Sequence, residues 1–156
     1  SKLRDPQQGL DAIVLAVAGL ERLEMGHEVS QRLTPDMGFI PALGQGAVGI
    51  QARDEDSVVH QTLAAISDQP TQICVAAERG VMMALEGDCT LPVAGYAVLC
   101  GAELHLTARL GMPDASEVIE RTGRGSADDA EDLGRRVGME LLQAGGRELM
   151  ARLSRT

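Results

Sequence analysis

The sequence predicts a chain of two characters: the end of an α/β domain, then an α+β domain with a three-stranded antiparallel sheet and helices packed on it. Three observations carry that expectation. Residues 12–17, Ala-Ile-Val-Leu-Ala-Val, are an unbroken apolar run of the kind found in strands covered on both faces. Residues 33–49 hold Pro35, Gly38, Pro41, Gly44, Gly46 and Gly49, and read as connection and crossover. Beyond residue 69 the pattern becomes one helix, three short β segments and a second helix.

Taken in order, the apolar run leads into a short helix over residues 18–23, ended by Gly26 and His27. The strand-to-helix junction at Ala18 and Gly19 turns backbone N–H groups outward, where anions bind. Residues 47–53 alternate loosely enough for another strand. Asp54 to Asp56 offer caps for a helix carrying Val59, Leu63 and Ile66 on one face and stopping near residues 67–70. Thr71 is the expected cap of the next helix, where Cys74, Ala77, Val81 and Leu85 recur at helical spacing and Gly87 supplies the stop. Cys89 then falls just past a helix C-terminus. Strands are expected over residues 93–99, 103–110 and 117–122, separated by short turns, as a meander. Ser126, followed by Asp128 and Asp129, opens a last helix bearing Ala130, Leu133, Val137 and Leu141, interrupted at Gly145-Gly146 before Leu149 and Leu153.

Composition bounds the function. The 156 residues are 44% hydrophobic and 24% charged, with a net charge of −9, which argues against nucleic acid as a partner. Phe39 and Tyr96 are the sole Phe, Tyr or Trp rings, so the core must be aliphatic and base-stacking surfaces are excluded. Cys74, Cys89 and Cys100 form no CxxC pair, which suggests neither a disulfide framework nor a zinc cluster and fits a reducing cytoplasm. His27, His60 and His105 stand far apart without ligand spacing, so no metal site is expected. No apolar stretch reaches the roughly 18–20 residues that span a bilayer. The opening Ser-Lys-Leu-Arg-Asp-Pro, without an initiator Met, suggests a piece of a longer chain.

Two local signals compete for chemistry. Gly44-Gln45-Gly46-Ala47-Val48-Gly49 matches the dinucleotide fingerprint GxGxxG letter for letter, with Asp68 about 20 residues on. That function needs a strand ending at Gly44 and a helix starting near Gly46, whereas Pro41 interrupts what precedes. Cys89 could be a nucleophile, but Glu86, Asp88 and a helix C-terminus all oppose a thiolate; on its residues alone the favoured reading is a small side chain in a turn.

Glu78-Arg79-Gly80-Val81-Met82-Met83-Ala84-Leu85-Glu86-Gly87-Asp88-Cys89-Thr90-Leu91-Pro92-Val93 resembles the cofactor-attachment segment of the porphobilinogen deaminase (hydroxymethylbilane synthase) family. Residues 11–23 and 41–50 resemble two further signatures of that family, in order and spacing. The chain departs from the pattern at Asp88, where a second glycine is common, and at Gly80 and Met83. The resemblance implies a transferase of haem and other tetrapyrrole (porphyrin) biosynthesis. In it a dipyrromethane, held by a thioether on Cys89, primes the addition of four porphobilinogen units and the growing linear polypyrrole. It implies that Arg22, with the N–H groups of Ala16 to Gly19, meets the acetate and propionate groups of that cofactor. A guanidinium fork suits carboxylates, and a tether needs exposure rather than a reactive thiolate.

The resemblance further implies the end of a second, periplasmic-binding-protein-like α/β domain over residues 1–40. Residues 41–68 become a crossover returning to the first domain, and residues 69–156 the C-terminal α+β domain. The family's catalytic aspartate belongs to an N-terminal domain that these residues do not include, as do most of its carboxylate-neutralising cations. That squares the net charge of −9 with a polyanionic substrate. No catalytic residue is therefore expected here, and the chain alone should be inactive. The alternative is a non-catalytic small-ligand or interaction domain.

Overall fold

The computed structural model describes residues 3, 5–86 and 91–154. The chain divides into two units, Ser1–Phe39 and Ile40–Thr156. In the first unit the apolar run finds no strand to pair with. Residues 12–16 have no sheet partner, and Ile13, Val14 and Leu15 are exposed, Val14 by 72%. The expected buried strand is therefore not formed. A two-sided strand is made by its neighbours, and no other described segment of this unit is extended into one. What forms is helix α1, Val17–Arg22, one residue earlier than the pattern predicts, with short 3-10 turns at Pro6–Gln8, Gly26–Glu28 and Pro35–Met37.

The second unit opens with a turn at residues 42–46 that touches the sheet through one isolated bridge, Ala42 to Ala94. The strand expected over residues 47–53 is absent; Val48 is 93% exposed. Asp56 caps α2, Ser57–Ala64, accepting the Val59 N–H at 3.1 Å, but Val58, Val59 and Ile66 stay exposed. α3, Gln69–Leu85, is capped by Asp68 rather than Thr71. Pro70 sits in its first turn, where a missing N–H costs nothing, and that moves the start three residues back.

The meander is as expected, with longer strands. β1, Val93–Cys100, pairs antiparallel with β2, Glu103–Gly111, and β2 with β3, Val118–Ser126. Alternation on β2 buries Leu104, Leu106, Ala108 and Leu110 against the helices. The other face is polar, and there Arg109 and Glu120 form a cross-strand ion pair at 2.5 Å. Ser126 caps a 3-10 turn at Ala127–Asp129, from which α4, Ala130–Leu141, continues. The break foreseen at Gly145-Gly146 falls on Gly145, whose φ of 109° is open to glycine, and α5, Arg147–Leu153, follows.

The core lies between sheet and helices: Val81 and Leu85 from α3, Leu133, Val137 and Leu141 from α4, and Leu149 from α5, all essentially inaccessible. Each buried Leu contributes about 1.5–3 kcal/mol. α3 and α4 approach closely because glycines face each other's backbones. A methyl on Gly134 would stand 1.9 Å from the Ala77 carbonyl oxygen, and one on Gly80 would stand 2.3 Å from that of Glu131. The departure at Gly80 from the larger residues of the resembled family is thus a contact made by backbone.

Candidate functional site

Gly19 and Arg22 lie on α1 and Ala16 at its N-cap, and all three are exposed. Ala16 is the extended residue before the helix, and its carbonyl accepts the Gly19 N–H at 3.1 Å. The sequence pattern offers the Gly19 N–H to an anion, but closure of the first turn uses it. The N–H groups of Val17 and Ala18 have no acceptor among the described residues. Arg22 ends the helix, about 9 Å along the axis from Ala16 at 1.5 Å per residue. Its side chain leaves the helix tilted toward the N-terminus. Glu21 is taken by Arg32 at 2.6 Å, and the Arg22 guanidinium has no partner among the described residues. An unpaired fork and two unpaired amides are donors suited to carboxylates.

Cys89 lies outside the described residues. On either side of it the chain is fastened: α3 ends at Leu85, buried in the core, Glu86 turns left-handed at φ 49°, and β1 begins at buried Val93. The other two cysteines differ from each other. Cys74 is half-buried on α3, where burial pushes its thiol up. Cys100 is exposed at the end of β1. At Cys74 the Leu99 backbone bond favours the thiolate, but burial and the charges of Glu78 and Asp68 outweigh it.

The GxGxxG string is not a dinucleotide site. No strand ends at Gly44 and no helix starts near Gly46; Gly44 has φ 72° in a turn, and the next helix begins at Ser57. His27 stands beside Glu28, His60 beside the Arg53 carbonyl oxygen and His105 beside Glu103. Among the described residues no three His, Cys, Asp or Glu converge as metal ligands, and no helix is long and apolar enough to cross a membrane.

An open cleft of about 330 Å³ lies where the 42–46 turn meets α3 and β1, bordered by Gly44, Thr71, Cys74, Glu78 and Tyr96. Glu78 was not foreseen as special. A signal was present, since it lies at helical spacing between Cys74, Val81 and Leu85 on the apolar stripe of α3, where a charge demands a partner.

Two family models match the chain. One, described as porphobilinogen deaminase, dipyromethane cofactor binding domain, matches residues 1–61 and so includes Ala16, Gly19 and Arg22. The other, described as porphobilinogen deaminase, C-terminal domain, matches residues 72–143 and includes Cys89.

Proposed function

The chain belongs to the porphobilinogen deaminase family, and from that premise we propose that it is the C-terminal portion of hydroxymethylbilane synthase, a transferase acting in the cytoplasm. One observation carries the reading: two domains of a single enzyme match in succession, the first described by its dipyrromethane cofactor. In this reading residues 1–40 close the second domain, residues 41–68 cross back to the first, and residues 69–156 carry the cofactor cysteine. The cofactor supplies the pyrrole end on which four porphobilinogen units are polymerised. Cys89 holds it through a thioether, between two stems rooted in the core at Leu85 and Val93. Arg22 grips acetate and propionate groups, helped by the amides at the start of α1. The catalytic aspartate comes from the N-terminal domain, which is also the partner of this portion, so the 156 residues alone do not turn over porphobilinogen.

Intact-protein mass spectrometry of the full-length enzyme tests the tether. Cys89→Ser should abolish the covalent cofactor, whereas Cys74→Ser and Cys100→Ser should retain it, since Cys74 packs on α3 and Cys100 ends a strand. Loss of cofactor from either of the latter two would move the attachment site. Ehrlich's reagent on the denatured full-length protein separates this function from a non-catalytic binding domain, because a dipyrromethane colours and a bare cysteine does not.

A further inference from the structure

β1 is an edge of the sheet, whose order is β1-β2-β3. On its outer side every second residue turns its backbone N–H away from β2, and in an open sheet those groups invite another strand. Here they are answered by groups that are not a full strand. Gly95 donates to the Pro41 carbonyl oxygen at 2.9 Å, Ala97 donates to Glu78 Oε1 at 3.0 Å, and the Leu99 backbone bonds to the Cys74 thiol. The second oxygen of Glu78 accepts the Gly44 N–H at 2.6 Å. Glu78 is 7% exposed, and two backbone N–H groups offset the cost of burying its carboxylate. One side chain thus clasps the sheet edge with one oxygen and the 42–46 turn with the other. Leu43 adds an apolar anchor, filling the notch at Gly95, where a methyl would stand 2.1 Å from Leu43 Cδ2.

The two edges of the sheet are composed differently. β3 carries Glu120, Arg121 and Arg124, charges that resist pairing with another chain. β1, Val-Ala-Gly-Tyr-Ala-Val-Leu-Cys, has no charge and no proline, the composition of a strand that pairs with its own kind. The bridge between Ala42 and Ala94 is antiparallel, so this edge already accepts a partner in that sense. We propose that residues 41–44, held by Glu78 and Leu43, mask a strand-pairing edge, and that the partner they exclude is a second copy of this chain docking β1 against β1 about a two-fold axis.

Native-state hydrogen exchange and light scattering of the 156-residue chain test this with Glu78→Ala and Leu43→Ser. Leu43→Ser leaves α3 and the sheet hydrogen bonds untouched and serves if Glu78→Ala fails to fold. At low concentration both variants should exchange the Gly44 and Gly95 amides about tenfold faster or more, while Leu106 and Leu110 in β2 stay protected. At high concentration they should dimerise and regain protection at Gly95, with the parent chain still monomeric. Unchanged exchange in a folded variant overturns the mask. Faster exchange without dimerisation, or association that leaves Gly95 exchanging, overturns the second copy as its excluded partner.

Discussion

Asp68 accepts the Thr71 N–H at 2.9 Å and the Thr71 hydroxyl at 2.5 Å, and these bonds, the hydroxyl's first, hold its carboxyl below the ordinary aspartate value of 3.8. A carboxylate depressed in the folded state adds stability above its unfolded value and loses it as pH falls through the folded one. Asp68→Ala should therefore lower the melting temperature at neutral pH. The gap from the parent should begin to close near pH 3.8 and be gone below the depressed value; a gap constant down through that range would assign the effect to packing. Arg22 is a residue of the opposite kind, exposed and without a partner among the described residues, so its identity should matter to binding and not to folding. In the full-length enzyme Arg22→Lys keeps the charge and loses the fork. Weakening of charge-assisted bonds by about 1–3 kcal/mol corresponds to roughly one to two decades in rate. Steady-state kinetics should show that loss with an unchanged melting temperature.

At the scale of elements, the contact of α3 with α4 is the tightest constraint. Gly134→Ala pushes a methyl toward the Ala77 carbonyl oxygen, and overpacking of this kind costs about 1–3 kcal/mol. Gly125→Ala, whose methyl would meet Leu133 at an ordinary 3.6 Å, is the control, and denaturant unfolding of the two should separate them. These helices and the three strands were legible in the sequence because each carries its own period, cap or turn, as Asp56, Ser126 and the pair Gly101-Ala102 do. The cap of α3 was misplaced by three residues because Thr71 and Asp68 are both good caps, and Pro70 decides between them. The strands expected at residues 12–17 and 47–53 were not legible, since an apolar run reports what a segment could bury and not whether anything is there to bury it. Of the candidate site, the Arg22 helix was legible. The use of the Gly19 amide was not, because it depends on where the first turn closes.

For the whole molecule, apolar burial is concentrated after residue 69, where α3, the meander, α4 and α5 enclose one aliphatic core. Val14, Leu15, Val48 and Ile50 remain exposed. Hydrogen exchange on the monomeric 156-residue chain should find slow amides in β2 and α4 and fast ones at residues 12–17 and 47–53. Strong protection of residues 12–17 in such a monomer would contradict the division into a self-sufficient C-terminal unit and a segment that needs neighbours.

The glycine contact between α3 and α4 also sets an order of events. The β1–β2 hairpin closes through Gly101 and Ala102, whereas Gly80 meets Gly134 across about fifty residues of chain, and closure entropy grows with that length. The helix pair is thus expected to zip shut after the meander has crossed its barrier. A residue that spoils it should then hasten the opening of the folded chain and leave the speed of its formation unaltered. In a chevron for Gly134→Ala, the unfolding limb should rise while the refolding limb lies on that of the parent; a lowered refolding limb would place the crossing inside the nucleus instead.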